Sequence, residues 1–370
     1  MPVKKRAMPP DLSVIIPALN EQDFLPALLA DLRTQKRVNL EIIVVDGGSS
    51  DDTRKRCRPF GPILVQGPCG RARQLNAGFK RSTGSNVLFL HADSRLKDPH
   101  LLVNALRHWQ NALISDNRET IAGHFPLKFM RTRPGNSMSF RFTEGKTYFN
   151  RVNTTNGDQG FLLKRSFFEE LGGFDESQHF LEDQKLAEKI RARGTWITLP
   201  GRLYTSGRRF EEQGYHRLCI LMSMIMALYS TDRKEFFERD KSIYAGHGET
   251  GHLLLKPYFK AAFKMFIFDL GFLGSIRAWF FIGRYIRQNS WQMFYFLDVL
   301  LRNDEKNQTY PLLKFHDNYF WLITNNPVCD TINSFIAFFW FIVVLAPYFI
   351  IVDTIWTGGS NRRKYGRYAN

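Results

Sequence analysis

Four short apolar runs constrain this chain more than any other feature. They lie at 12–16, 40–45, 63–65 and 86–90, and each ends in a polar or glycine-rich turn. The intervals between them read as helices. Phe24, Leu25, Leu28, Leu29 and Leu32 repeat at helical spacing after Asn20, read here as the N-cap; Ser49 and Ser50 offer a cap for a helix near Asp51; a third helix is predicted over 70–81. Strand and helix alternating in this way predict an α/β fold, with helices on both faces of a largely parallel sheet. Ligands of such sheets bind beyond the carboxyl ends of the strands. That rule selects 17–21, 46–50, 67–71 and 91–93 as the candidate site.

From 123 to 206 the strands become mixed, with "GHFPLKFM" and "QGFLLKR" separated by a polar stretch, 131–158, read as a functional or mobile loop. The texture changes after Ser206, and the domain boundary is placed near Gly214. The expected organisation is a tail over 1–11, a catalytic domain over 12–214, an amphipathic helical membrane-interface region over 215–330, a transmembrane or re-entrant helix over 331–356 and a basic tail over 357–370.

Composition bears on partners. Fifty-one basic residues against 35 acidic ones leave a formal charge of +16, which favours anionic partners. No helix-turn-helix, zinc or aromatic-strand motif accompanies that charge, so nucleic acid is not the expected partner. Sixteen of the 33 phenylalanines lie in the last third of the chain, which points to a membrane. Four cysteines without a C-x-x-C pair read as reduced thiols in a cytosolic setting. The first apolar run is too short for a secretory segment, which keeps the first strand in the cytoplasm.

In the last third, 259–287 mixes Phe, Trp and Leu with Lys and Arg, as a helix in the lipid interface does. Residues 335–352 form an uncharged run of transmembrane length containing Pro347, which can kink the helix or make it re-entrant, and Arg362, Arg363, Lys364 and Arg367 follow it. A cytoplasmic first domain and a cytoplasmic basic tail cannot be joined by one crossing. Either another segment crosses, or these helices dip into one leaflet.

Five stretches carry chemistry. "VVDGGSSDDT" delivers Asp46 to a strand end, where a carboxylate can accept from a nucleobase or ribose; a turn with an N-cap is the alternative. "GPCGRARQLNAGFKRSTG" puts Arg71 in a first helical turn, where its fork matches phosphate oxygens, while Lys80 and Arg81 read as a solvated face. "HAD" places Asp93, with His91, where a carboxylate can hold Mg²⁺ or Mn²⁺ together with a diphosphate. Glu182 and Asp183 open an amphipathic helix, as dipole partners or with a carboxylate facing a substrate hydroxyl as general base. Arg208 and Arg209 can clamp a leaving diphosphate or sit on a mobile loop.

In this order, strand-PALNE, strand-VDGGSxD, GRAxQxN, strand-FLHAD, GDQGxxxxR, LGGF followed by ED, and TSxRR resemble family-2 glycosyltransferases of the GT-A fold. They also resemble the subgroup associated with bacterial arsenosugar biosynthesis. The resemblance implies transfer of a sugar, usually with inversion, from a nucleotide sugar, taken as a UDP-sugar. It implies nucleotide-sugar contacts at Pro17, Ala18, Asn20, Glu21, Asp46, Gly48, Ser49, Arg71, Gln74, Asp93, Arg208 and Arg209. Metal at Asp93, with His91 where many relatives have an aspartate, and a catalytic pair Glu182 and Asp183 with Asp183 as base, complete the set. Gly47 also replaces a common aspartate. The region 259–287 is similar to membrane-proximal segments of enzymes that glycosylate lipid-linked acceptors, which implies a lipid-linked or membrane-proximal acceptor, membrane lipids as partners, and a site at the cell membrane facing the cytoplasm. The competing readings are a catalytically inactive membrane-bound nucleotide-binding adaptor and a sugar-phosphate nucleotidyltransferase. The latter needs a glycine-rich loop after its first strand, which "PALNEQDF" does not offer.

Overall fold

The computed structural model describes residues 9–177, 181–231, 253–302 and 309–365, with side chains to 357. Most of the expected N-terminal tail, the side chains of Arg362, Arg363 and Lys364, and all of Arg367 lie outside the described residues. The chain divides into two units, one of Met1–Thr132 with Ser139–Gly207 and one of Arg133–Met138 with Arg208–Asn370. The division falls at Gly207 rather than Gly214, because the Gly207 N–H still donates to the Met130 carbonyl at 2.8 Å and closes the first unit's last strand pair.

The first unit is a mixed α/β layer. Its strands are β1 (Leu12–Ala18), β2 (Leu40–Asp46), β3 (Ile63–Gln66), β4 (Asn86–Phe89), β5 (Ile121–His124), β7 (Phe161–Lys164) and β8 (Thr195–Thr198), in the order β3-β2-β1-β4-β7-β5-β8. The first four are mutually parallel, whereas β7 runs antiparallel to β4 and β5, so the sheet is mixed rather than wholly parallel. A separate parallel pair joins β6 (Leu127–Met130) to β9 (Leu203–Ser206).

Strand periodicity explains the two-sided core. Leu12, Val14 and Ile16 of β1 face one cluster with Leu25, Leu28 and Leu29 of α1 (Leu25–Arg33) and with Trp109 of α4 (Leu101–Ser115). Ile15 faces the other, with Leu75 of α3 (Arg71–Arg81), Phe167 of α6 (Arg165–Glu170) and Ile190 of α7 (Glu182–Arg193). Near-continuous apolar strands are what a sheet buried on both faces requires. Pro17 is tolerated in central β1 because pairing with β4 ends at Ile15, where an N–H is no longer needed.

Three local expectations are corrected. Asn20 is not an N-cap: α1 starts at Leu25, and Asn20 holds a left-handed φ of 56° in the preceding loop. Ser49 and Ser50 do not cap the next helix, which is α2 (Thr53–Cys57) with Asp52 at its N-cap. The stretch 131–158 is not one loop, since α5 (Ser137–Lys146) forms inside it, with Phe140 and Glu144 buried. Lys80 and Arg81 are exposed, as expected for a solvated face.

The second unit is helical. It contains α8 (Arg208–Gln213), α9 (Tyr215–Tyr229) and a series of helices from Lys256 onward. Its last part is nearly continuous: helix Pro327–Phe339, a π segment Trp340–Leu345 and helix Ala346–Tyr365. Pro347 does not interrupt it, and the π segment falls just where the missing proline N–H would disturb the hydrogen-bond ladder. Among the described residues one helix, Pro327–Thr357, is long and apolar enough to cross a membrane.

Candidate functional site

The carboxyl ends of β1, β2 and β4 carry the loops that the topology singles out. Two of these loops are stitched together. The Asn20 N–H donates to the Ser49 hydroxyl at 2.9 Å, the Ser50 N–H donates to Asn20 Oδ1 at 2.9 Å, and the Glu21 N–H donates to Thr53 Oγ1 at 2.8 Å. The left-handed turn at Asn20 is what aims its side chain at the second loop; asparagine tolerates that conformation better than most residues.

Asp46 ends β2 and is 2% exposed. Its carboxylate accepts from the Ser49 hydroxyl at 2.5 Å and from the Ser49 N–H at 3.2 Å, and Arg54 lies 3.8 Å away. Asp46 and Ser49 therefore shape the loop, and Gly48, with φ 97° and open space where a Cβ would stand, forms its exposed turn. Gln74 sits beneath it. Its Nε2 donates to the carbonyls of Ala18 and Val45, both at 2.8 Å, and it is 4% exposed. Gln74 thus ties the ends of β1 and β2 together from beneath the loop. Pro17 and Ala18 are buried in the strand, so any contact from that motif must come from Asn20, Glu21 and the backbone around them.

The second half of the site forms around β4. The antiparallel register that pairs Phe89 with Phe161 brings the turn before β7 opposite the turn after β4. Asp158 consequently reaches His91, with its Oδ1 2.5 Å from Nδ1. Burial opposes protonation of His91, but the charge and hydrogen bond of Asp158, helped by Asp93 and opposed by Arg71, outweigh it and raise the pKa.

Gly157 joins His91 to the third element. Its N–H donates to Asp183 Oδ2 at 2.7 Å, and a Cβ added there would lie 2.8 Å from His91 Nε2 and 3.2 Å from Asp183 Oδ2. The other Asp183 oxygen accepts from the Gln184 N–H at 2.8 Å. Each carboxylate oxygen keeps a second lone pair. Leu181, at φ 62°, makes the turn that sets Glu182 and Asp183 on the first turn of α7. Holding a leucine there costs on the order of 1–3 kcal/mol.

Glu182 is 1% exposed and accepts from Arg71 Nη1 at 3.1 Å. Burial works against the Arg71 charge, yet Glu182, Asp183 and Asp158 overcome it and raise its pKa. Thus Arg71, His91, Asp93, Asp158, Glu182 and Asp183 form one electrostatic cluster. Four carboxylates face one arginine and a histidine, an environment that repels a diphosphate unless a cation accompanies it. Among the described residues no group of three or more His, Cys, Asp or Glu side chains is arranged to hold a metal ion. A hard divalent cation bound by one or two carboxylates and completed by ligand oxygens and water fits the cluster.

The motif "GDQG" by itself gives Gly157 and Asp158 no role. Only the β4–β7 register reveals what they touch. Arg208 and Arg209 lie in the second unit, at the start of α8.

Residues 13–172 match the family model described as Glycosyl transferase family 2. A PGL/p-HBAD biosynthesis glycosyltransferase of Mycobacterium bovis is 35% identical over 100 residues, covering 25% of this chain and 39% of that protein. Glycosyltransferase GlyA of Streptococcus pneumoniae is 27% identical over 96 residues, 24% of this chain and 14% of that one. The chain thus spans well under half the length of these relatives. Among solved structures, a mannosyltransferase from Pyrobaculum calidifontis in complex with GDP-Man and Mn²⁺ aligns with a TM-score of 0.44 at 18% identity, over 89% of this chain and 88% of that one. Staphylococcus aureus TarS 1-349 in complex with UDP aligns with a TM-score of 0.43 at 16% identity, over 88% and 89%.

Proposed function

We propose, from the family-2 match over residues 13–172 and the cluster at the strand ends, that this chain is an inverting glycosyltransferase. It moves a sugar from a nucleotide-sugar donor, a UDP-sugar in the first instance, to a hydroxyl of a lipid-linked or membrane-proximal acceptor at the cytoplasmic face of the cell membrane. The observation that carries the reading is the placement of Asp183. One oxygen is oriented by the Gly157 N–H, the other by the Gln184 N–H, and the group stands beside His91 at the carboxyl end of β4.

In this reading the loops of Asn20, Glu21 and Asp46 cradle the nucleoside, and Arg71 faces the donor's charge while neutralising Glu182. The acceptor hydroxyl approaches Asp183, whose free lone pair removes its proton as the new glycosidic bond forms and the bond to the diphosphate breaks. Asp93, with His91, would hold Mg²⁺ or Mn²⁺, which supplies charge neutralisation for the departing diphosphate. The hydrogen bond that His91 Nδ1–H donates to Asp158 fixes the ring, so that Nε2 points toward Gly157 and Asp183.

The test is transfer by the purified protein across a panel of nucleotide sugars with Mn²⁺ or Mg²⁺, set beside the Asp183→Asn variant. The variant should bind donor like the parent and transfer ~10²–10⁴-fold more slowly. Equal turnover of the two would overturn the assignment. Donor binding without transfer or hydrolysis under any condition would favour the inactive adaptor.

A further inference from the structure

Within the second unit, the long apolar helix has a companion that runs antiparallel to it. At one end the N–H groups of Leu255 and Lys256 donate to Asp353, at 2.7 and 2.8 Å, and Arg217 pairs with the same carboxylate at 2.6 Å. Phe259 packs on Phe349 and Phe341, and Phe263, Phe266 and Trp279 all pack on Phe341. At the other end Arg287 pairs with Asp330 at 2.5 Å, and Arg284 lies 3.3 Å from it. Both acidic groups of the apolar helix are therefore buried and paired with arginine at its ends.

Between the clamps the companion bends outward. Phe266 and Trp279 stack with centroids 4.7 Å apart, so the residues between them leave the helix pair and return to it. The turn is made at Gly271, with φ 62°. On this bend Ile267, Phe268, Phe272 and Leu273 are 60–80% exposed. Lys260, Lys264 and Arg277 are exposed around it, as is Asp269.

The level of these charges decides the orientation. Lys264 adjoins Phe263, and Arg277 lies two residues from Trp279, and both aromatic rings pack on Phe341 at the middle of Pro327–Thr357. A perpendicular crossing would put the middle of that helix, and with it these charges, at the bilayer centre. There each Lys or Arg costs about 2.5–3.5 kcal/mol. Lying in the interface, the same cations meet anionic headgroups, at a gain of about 1 kcal/mol each. The alternative of a soluble core helix fails on exposure, since only 17% of its most apolar window is buried.

We infer that the second unit is monotopic: the helix pair lies in the plane of one leaflet of an anionic bilayer, with the bend at 267–273 wedged into the acyl boundary and Lys260, Lys264 and Arg277 on lipid phosphates. This sharpens the membrane reading above, yet needs no transfer reaction, so its failure and that of the enzymatic proposal are separable.

The experiment adds full-length protein to preformed vesicles of phosphatidylcholine, with or without phosphatidylglycerol, and no donor. Sedimentation should recover the protein with the anionic vesicles, and Phe272→Ser/Leu273→Ser and Lys260→Glu/Lys264→Glu should each weaken recovery about tenfold. These side chains are solvent-exposed, so the variants keep their fold, which circular dichroism checks. Sidedness is read with a membrane-impermeant maleimide, peptide by peptide in a mass spectrometer, on Thr331→Cys and Thr354→Cys, with exposed Cys69 as the outside reference. Both engineered thiols should label from outside as Cys69 does. Protection of either until detergent is added, equal recovery on neutral vesicles, or no recovery on anionic ones would each overturn the inference.

Discussion

Replacing Gly157 by alanine tests the heart of the site with one carbon atom. The added Cβ would lie 2.8 Å from His91 Nε2, closer than real Cβ contacts come, and 3.2 Å from both Cβ and Oδ2 of Asp183. Neither neighbour can yield freely. His91 is pinned through Nδ1 by Asp158 at 2.5 Å, and Asp183 is held by the very N–H of residue 157 and by that of Gln184. The backbone is not the obstacle, because Gly157 is not among the residues with positive φ. Relieving the overlap needs shifts of a few tenths of an ångström to about 1 Å, and misplacement of that size can cost ~10²-fold in rate. Overpacking of this kind costs about 1–3 kcal/mol of stability. Gly157→Ala should therefore remain folded and bind donor, while its kcat for sugar transfer falls about a hundredfold. The double variant His91→Ala/Gly157→Ala removes the tighter clash and should regain the lost stability without regaining the rate. The assays are steady-state transfer, donor titration calorimetry and thermal melting. A folded Gly157→Ala protein with parental kcat would refute the idea that His91 and Asp183 must keep this spacing.

Further outcomes follow from other contacts. Asp158→Ala should leave the His91 ring unanchored and lower kcat more than donor affinity, and Asp158→Asn, which can still pair with the ring, should recover part of the loss; equal defects in the two variants would count against an orienting role. If a divalent cation accompanies the donor at Asp93, nucleotide affinity measured by calorimetry should drop on chelation, and Asp93→Ala should erase the difference between chelated and metal-replete protein. Gln74→Ala should lower the thermal midpoint by an amount equivalent to about 1–3 kcal/mol, because two buried hydrogen bonds, to the carbonyls of Ala18 and Val45, are lost, although the Ala18 carbonyl keeps the Gly47 N–H as a donor. Glu41 supplies a pH test. Burial opposes its charge, but the hydroxyls of Ser13 and Thr83 and the N–H of Thr83 hold its pKa below the ordinary 4.5. A depressed folded pKa stabilises above the unfolded value and is lost as pH falls through the folded one. The parent should thus lose more stability than Glu41→Gln between about pH 6 and about pH 3, and parallel melting curves would reject the assignment.

Much of this protein was legible in its sequence because the signals were local. Apolar runs of strand length mark strands, and helical spacing such as that of Leu25, Leu28 and Leu32 marks helices, without any knowledge of partners. The alternation of the two then requires strand-end loops to share one edge, which is why Asp46, Arg71 and Asp93 could be singled out. Motif order supplied the resemblance to family-2 glycosyltransferases. Tertiary structure decided what depends on register and on packing between distant segments. Nothing in "GDQG" says that Asp158 meets His91; the antiparallel pairing of β4 with β7 does. Nothing in "GRARQ" separates Arg71, which faces the site, from Gln74, which is consumed by two strand carbonyls beneath it. In the last third, hydropathy alone could not choose between a crossing helix and an in-plane one. The in-plane orientation proposed above rests on Phe263 and Trp279, neighbours of Lys264 and Arg277, packing on Phe341, a relation between segments more than sixty residues apart that only the folded chain brings together.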